Sequence, residues 1–173
     1  KVGEDSSVCA IYLKNVITLG IVKKETPFGE KTGRKTIYSM EEPMFRFWYR
    51  FVPPNFSLIT RGAADLAYSR IAPELPAYMG GIFEEICKQY LWKQLLEGKC
   101  AVNFRDVGRW WGANPKTRAQ EEIDLMGDDN DAVLFAECKW TNEKIDLPVL
   151  DTLLARSELF HYPEKHFYLF AKT

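Results

Sequence analysis

The sequence predicts an α/β fold, a mixed sheet flanked by helices. Three observations predict it. Hydrophobic periodicity is helical up to about residue 100 and alternating from there on. The polar run GDDND (127–131) separates two strand-like segments, 119–126 and 132–140, as a hairpin turn would. A helical segment (146–160) then precedes a last apolar strand (166–172), so the later half reads helix, antiparallel strands, helix, strand.

The first elements follow the same logic. Residues 6–19, SSVCAIYLKNVITL, space Val8, Ile11, Tyr12, Val16 and Leu19 as a helix face after serines suited to capping it, and Gly20 ends it. IVKKE (21–25), a turn region holding Pro27, Gly29 and Gly33, and KTIYSM (35–40) read as a two-stranded ribbon. A helix followed by a basic ribbon is the back half of a winged helix, expected over residues 1–42. Lys14, Lys23, Lys24, Lys31, Arg34 and Lys35 would then meet DNA phosphates, or the ribbon is a solvated hairpin that packs against a neighbouring domain; both readings stand at this point.

EEPMFRFWYRFV (41–52) starts a helix at a proline, with Phe45, Phe47, Trp48, Tyr49 and Phe51 expected to pack, and PPNFSL (53–58) is expected to break it. Another helix is expected over 58–71 and a stronger one over 76–96. On the latter Ile82, Phe83, Ile86, Cys87, Tyr90 and Leu91 share a face, with Glu84 at its border and Glu85 pointing away. A strand is expected over 102–111. In GRWWGANPKT (108–117), Trp110 and Trp111 should alternate, one into the core and one onto a partner surface, or else line a nucleic-acid groove for which Lys116 and Arg118 are candidates.

Composition narrows the classes. With 173 residues, 46% hydrophobic and 27% charged, the chain is long enough for one ordinary domain, or a domain with a small appendage, and a packed core. A net charge of -1 gives no global pull towards nucleic acid or membrane, although residues 1–40 carry most of the excess basic charge. Four scattered cysteines without a CxxC pair, and two histidines not beside them, argue against a zinc site and suit reduced thiols. Without a signal-like segment or an apolar run of about 18 residues, a soluble, cytoplasmic protein is expected, and a first residue other than Met suggests part of a longer chain.

The apolar stretch around AVLFAECKW raises one question: why does it contain Glu137 and Lys139, with Asp124 on the strand before? Buried charge is costly unless paired or bound to metal. A turn at about 128–131 sets Asp124 within about one pair of Glu137, and period-2 alternation puts Glu137 and Lys139 on one face. Glu84 joins them if its helix packs across that face. Two acids and a lysine among apolar flanks suit a Mg²⁺ (or Mn²⁺) site acting on a phosphate; a salt-bridged hairpin is the plainer alternative.

GGIFEEIC (80–87), EEID (121–124) and ECK (137–139), in this order and spacing, resemble the PD-(D/E)XK nuclease-like superfamily. The resemblance implies a restriction-endonuclease-like mixed sheet over 43–173. It implies Glu84 as the helix acid, Asp124 and Glu137 as metal ligands together with the backbone carbonyl of Cys138, and Lys139 as the water-activating residue. EEPMFRFWYRFVPPN, FEEICKQYL, GRWWGANPKT, EEIDLM and FAECKW further resemble the C-terminal domain of unknown function carried by archaeal and bacterial AAA-type ATPases. There a P-loop domain of the same longer chain precedes a winged helix. No GxxxxGK[ST] occurs here, so ATP is not expected to bind these residues by that mechanism. The expectation is thus a metal-dependent nuclease acting on DNA, with homo-oligomers open. Its alternative is an inactive nuclease-like module that tethers DNA or a protein partner, or regulates the ATPase.

Overall fold

The fold was analysed in a computed structural model that describes residues 3–30 and 35–172. Lys31 and Arg34 of the expected DNA-contacting set lie outside the described residues. The chain divides into two compact units, one of 1–26 and 31–73, the other of 27–30 and 74–173.

The first unit opens with α1 (Ser6–Thr18). Its cap is Asp5 rather than a serine: the Asp5 carboxylate accepts from the Ser7 N–H at 2.8 Å, and also from the Ser7 hydroxyl. A carboxylate outcompetes a hydroxyl at this position because it also meets the positive end of the helix dipole. At the other end Gly20 (φ +70°) donates to Ile17 O and Ile21 N donates to Val16 O, a Schellman closure that needs the left-handed conformation glycine tolerates. Gly20→Ala is therefore expected to cost about 1 kcal/mol, read as a lower melting temperature of the helix signal in circular dichroism. After this closure β1 (Val22–Glu25) pairs antiparallel with β2 (Ile37–Met40), the expected ribbon.

α2 (Pro43–Thr60) starts at the expected proline, with the Glu42 carboxylate accepting from Met44 N–H. It does not break at Pro53 and Pro54. The two prolines deprive Tyr49 and Arg50 carbonyls of their donors, yet Phe51 and Asn55 are buried on either side and the Asn55 amide donates to Phe51 O at 2.9 Å. Tertiary packing thus overrides the local signal. Accordingly α3 is shorter than expected (Ala64–Ile71) and follows a turn at Gly62. Of the five aromatics expected to pack, Phe51 is buried and Phe45 half-buried, while Phe47, Trp48 and Tyr49 are exposed. Side chains spread all round a helix cannot share one buried face.

The second unit is a mixed four-stranded sheet between helices. Its strands β3 (Val107–Ala113), β4 (Gln120–Asp128), β5 (Ala132–Lys139) and β6 (Glu164–Ala171) lie in that order. The first three are antiparallel neighbours, while β5 and β6 are parallel, joined by a crossover through α5 (Leu147–Ser157). α4 (Leu75–Leu96) packs on one face of the sheet and α5 on the other. Residues 102–106 are not strand as expected. They form an irregular approach whose Val102 and Phe104 are buried, with Arg105 N–H bonded to Asp128 O.

Alternation along β5 sorts the core. Leu134, Ala136 and Cys138 meet Cys87 and Leu91 of α4; Val133 and Phe135 meet Leu153 of α5, with Ile123 and Met126. Within this unit Phe28 N–H donates to Arg109 O, and its ring packs beside the α5-side cluster. Among the described residues, no helix is long and apolar enough to cross a membrane.

Candidate active site

The β4–β5 ladder carries Leu125 opposite Ala136 and stops there, so Asp124 and Glu137 are the next pair in line, as the turn position predicts. Cys138, two residues further along β5 than Ala136, donates its N–H to Asp124 Oδ2 at 2.7 Å. A side chain thus serves a strand donor at the point where the two strands part.

The reason is a register break. β3 and β4 pair Gly108 with Met126 but Trp110 with Ile123, so Asp124 and Leu125 together face Arg109, a bulge on β4. The extra residue shifts parity: Ile123 and Met126 both join the α5-side cluster, whereas Leu125 joins the α4-side one. The bulge re-aims Asp124 towards β5.

Glu137 is 6% exposed. Its Oε1 lies 2.6 Å from Lys139 Nζ and its Oε2 lies 3.3 Å from Arg156 Nη1. Arg156, from the last turn of α5, also holds Glu121 Oε2 through Nε at 3.2 Å. Glu121, Asp124 and Glu137 therefore face Lys139 and Arg156, three acids against two cations. That excess is felt by Asp124, whose pKa is pushed up to about 6, first by burial and then by the Glu137 charge, against the pull of the Cys138 N–H and Lys139. For Lys139, burial works towards the neutral amine, but the bond and charge of Glu137, with Asp124, outweigh it and leave the pKa raised. Lys139 is an ammonium.

Glu84 lies on α4. It was expected to join if α4 crossed the Glu137 face, but α4 covers the face carrying Ala136 and Cys138, and α5 covers that of Glu137. Glu84 is half-buried there; its charge, with that of Asp124, adds to the burial that raises the Cys87 and Cys138 thiols. The structure thus brings together Asp124, Glu137, Cys138 and Lys139, with Glu84 on the α4 side, where its charge and that of Asp124 act on the same two thiols.

Arg156 and Glu121 were missed. An arginine in a helix's last turn reads as solvated and favourable to the dipole, and only the packing of α5 over β4 and β5 reveals its partners. The β3–β4 turn holds Lys116 and Arg118, both exposed. The Asn114 side chain accepts from Lys116 and Thr117 N–H, and Arg118 adopts φ +58°. The tryptophans alternate as expected: Trp110 meets Phe160 edge-on at 5.0 Å in the core, and Trp111 lies under Arg109, which pairs with Glu122 at 2.6 Å. In the first unit Lys14, Lys24 and Lys35 are exposed and Lys23 half-buried.

Among the described residues, no group of three His, Cys, Asp or Glu side chains stands ready to hold a metal ion. Mg²⁺ does not require one, since it commonly takes one or two carboxylates and keeps several waters. The donor chemistry fits such an ion: hard oxygens, adjacent acids in net excess, and one carboxyl whose pKa is pushed up to about 6 by burial and the neighbouring Glu137 charge, which a divalent ion would relieve. As they stand, however, both Glu137 oxygens are engaged by cations.

The family of archaea bacterial proteins of unknown function, DUF234, matches residues 48–149. The chain belongs to this family. The DUF234 match takes in the α4 acid, the bulge and the Glu-Cys-Lys strand, while Arg156 lies beyond it. The chain is also similar to an uncharacterized protein of Methanocaldococcus jannaschii, 33% identical over 136 residues that make up 77% of this chain and 29% of that protein. The chain thus spans less than a third of the length of that relative. No solved structure matches it.

Proposed function

We propose that the fork between β4 and β5 is the hydrolytic centre of a metal-dependent nucleic-acid phosphodiesterase, acting on DNA, in a longer chain that also carries a P-loop ATPase. One observation carries this reading: Asp124, re-aimed by a bulge onto the Cys138 N–H, stands next in register to a buried Glu137 joined to Lys139. A purely structural ion pair needs neither the bulge nor an unbalanced second acid.

Asp124 and Glu137, with the Cys138 carbonyl, would hold Mg²⁺ or Mn²⁺. When bound, the ion supplies Lewis acidity and a more acidic water beside the phosphate. Lys139 acts electrostatically: a raised pKa makes it a poor proton acceptor at neutral pH but a persistent positive charge where phosphate oxygens gain negative charge. Apolar packing of β5 on both faces keeps these groups fixed. Lys116 and Arg118, exposed on their turn, supply backbone-phosphate contacts without sequence readout. On the first unit, Lys14, Lys23, Lys24 and Lys35 are proposed to serve DNA in the same way.

The test is Mn²⁺- or Mg²⁺-dependent cleavage of labelled linear, single-stranded and branched DNA by the wild type, Asp124→Ala and Lys139→Ala. Cleavage by the wild type alone, with melting temperatures retained in both variants, is expected. If no substrate is cut and calorimetry detects no divalent-ion uptake, the hydrolytic reading falls and tethering of DNA or a partner replaces it.

A further inference from the structure

We propose that Arg156 is a placeholder cation, which neutralises Glu137 in the metal-free protein and passes to a backbone phosphate of the nucleic acid when a divalent ion takes Glu137. This rests on the metal-site reading above and assigns a role to a residue outside the Glu-x-Lys pattern.

The geometry distinguishes the two cations on Glu137. Lys139 is held at 2.6 Å, a tight charge-assisted contact, whereas Arg156 reaches Glu137 at 3.3 Å and Glu121 at 3.2 Å, both long for such bonds. Of the two, Arg156 is the one more easily displaced. Its guanidinium has five N–H donors, and its contacts to Glu121 and Glu137 use two of them. The remaining donors lie in one plane, a fork that matches two phosphate oxygens as a lysine cannot. Glu121 gives the group a second anchor, so leaving Glu137 does not set the side chain loose. Charge changes consistently through the exchange: the incoming ion replaces one positive charge on Glu137 with two, and the released guanidinium meets an incoming phosphate. Neither step leaves a buried charge unpaired.

The placeholder role predicts effects of opposite sign, which a merely structural role does not. MnCl₂ is titrated calorimetrically into the wild type, Arg156→Gln, Arg156→Lys and Asp124→Asn, and a labelled DNA oligonucleotide is then bound with Mn²⁺ present, read by anisotropy. Removing a competing positive charge close to the ion should tighten Mn²⁺ binding by Arg156→Gln about tenfold, while oligonucleotide affinity falls by a similar factor. Arg156→Lys keeps the charge, so its Mn²⁺ affinity should stay within about threefold of the wild type, but its oligonucleotide affinity should still fall because the fork is lost. Mn²⁺ binding that is unchanged or weaker in Arg156→Gln, in a protein whose Mn²⁺ binding is abolished by Asp124→Asn, overturns the placeholder alone. So does an oligonucleotide affinity kept in full by Arg156→Lys, should Arg156→Gln not fold. A wild type that takes up no Mn²⁺, or an Asp124→Asn that titrates like it, overturns the metal site and the placeholder together.

Discussion

Asp124→Asn is expected to melt at a higher temperature than the wild type at pH 7.5, with the difference vanishing near pH 4. In the fold the Asp124 carboxyl titrates at about 6, against an ordinary value of 3.8. Between these values the folded protein keeps a proton that the unfolded chain has released, so stability falls as pH rises through this window and stays lower above it. A gap of this size amounts to on the order of 2–3 kcal/mol at neutral pH. Asparagine never ionises, and its carbonyl oxygen still accepts from the Cys138 N–H, so the cost disappears while the bond remains. The check is a set of thermal melts from pH 4 to pH 8, repeated with Mn²⁺. Under the proposed function, Mn²⁺ raises the wild type by mass action and leaves the variant unmoved. A variant less stable than the wild type at pH 7.5 would show that Asp124 stabilises the fold rather than straining it.

The largest stability loss is expected from Phe135→Ala, about 3–5 kcal/mol. Phe135 is fully buried in β5, between Phe160 at 5.5 Å and Phe167 stacked at 5.8 Å, in the cluster that seats α5. The surrounding groups come from three different elements and cannot collapse together into the space left behind. Because Phe135 and Glu137 share a face two residues apart, loosening α5 also moves Arg156 away from Glu137. Urea unfolding measures the first effect. A loss under about 1 kcal/mol would mean that the α5 face repacks freely and does not fix the site.

The sequence makes some of this legible and hides the rest for identifiable reasons. GDDND between two apolar runs fixed the hairpin turn, and with it the approach of Asp124 to Glu137, because antiparallel pairing around a short turn leaves few registers. α4 was readable from its length and its buried Cys87 and Leu91. The side of the sheet it covers was not readable, since Leu134 and Phe135 are equally apolar and either face of β5 would accept a helix. That left the approach of Glu84 to Glu137 open. Passage of α2 through Pro53 and Pro54 depends on the burial of Phe51 and Asn55, which no local rule supplies. The β4 bulge was hidden because EEIDLM reads as an ordinary strand. Only the pairing partners Gly108 and Trp110 reveal the extra residue.

That extra residue also shapes how such a protein can change over generations. Point substitutions at Asp124 remove an acid but leave the irregular backbone in place, so a later reversion restores the site in one step. Losing the codon between Ile123 and Leu125 is different: β4 would then pair with β3 without interruption, the hairpin would become more regular, Ile123 and Glu121 would keep their side of the sheet, and the acid would go together with the irregular backbone that carries it. A lineage that abandoned the chemistry would be free to straighten the strand. An intact bulge beside Glu-Cys-Lys is therefore the footprint to look for when sorting working from retired copies of this domain.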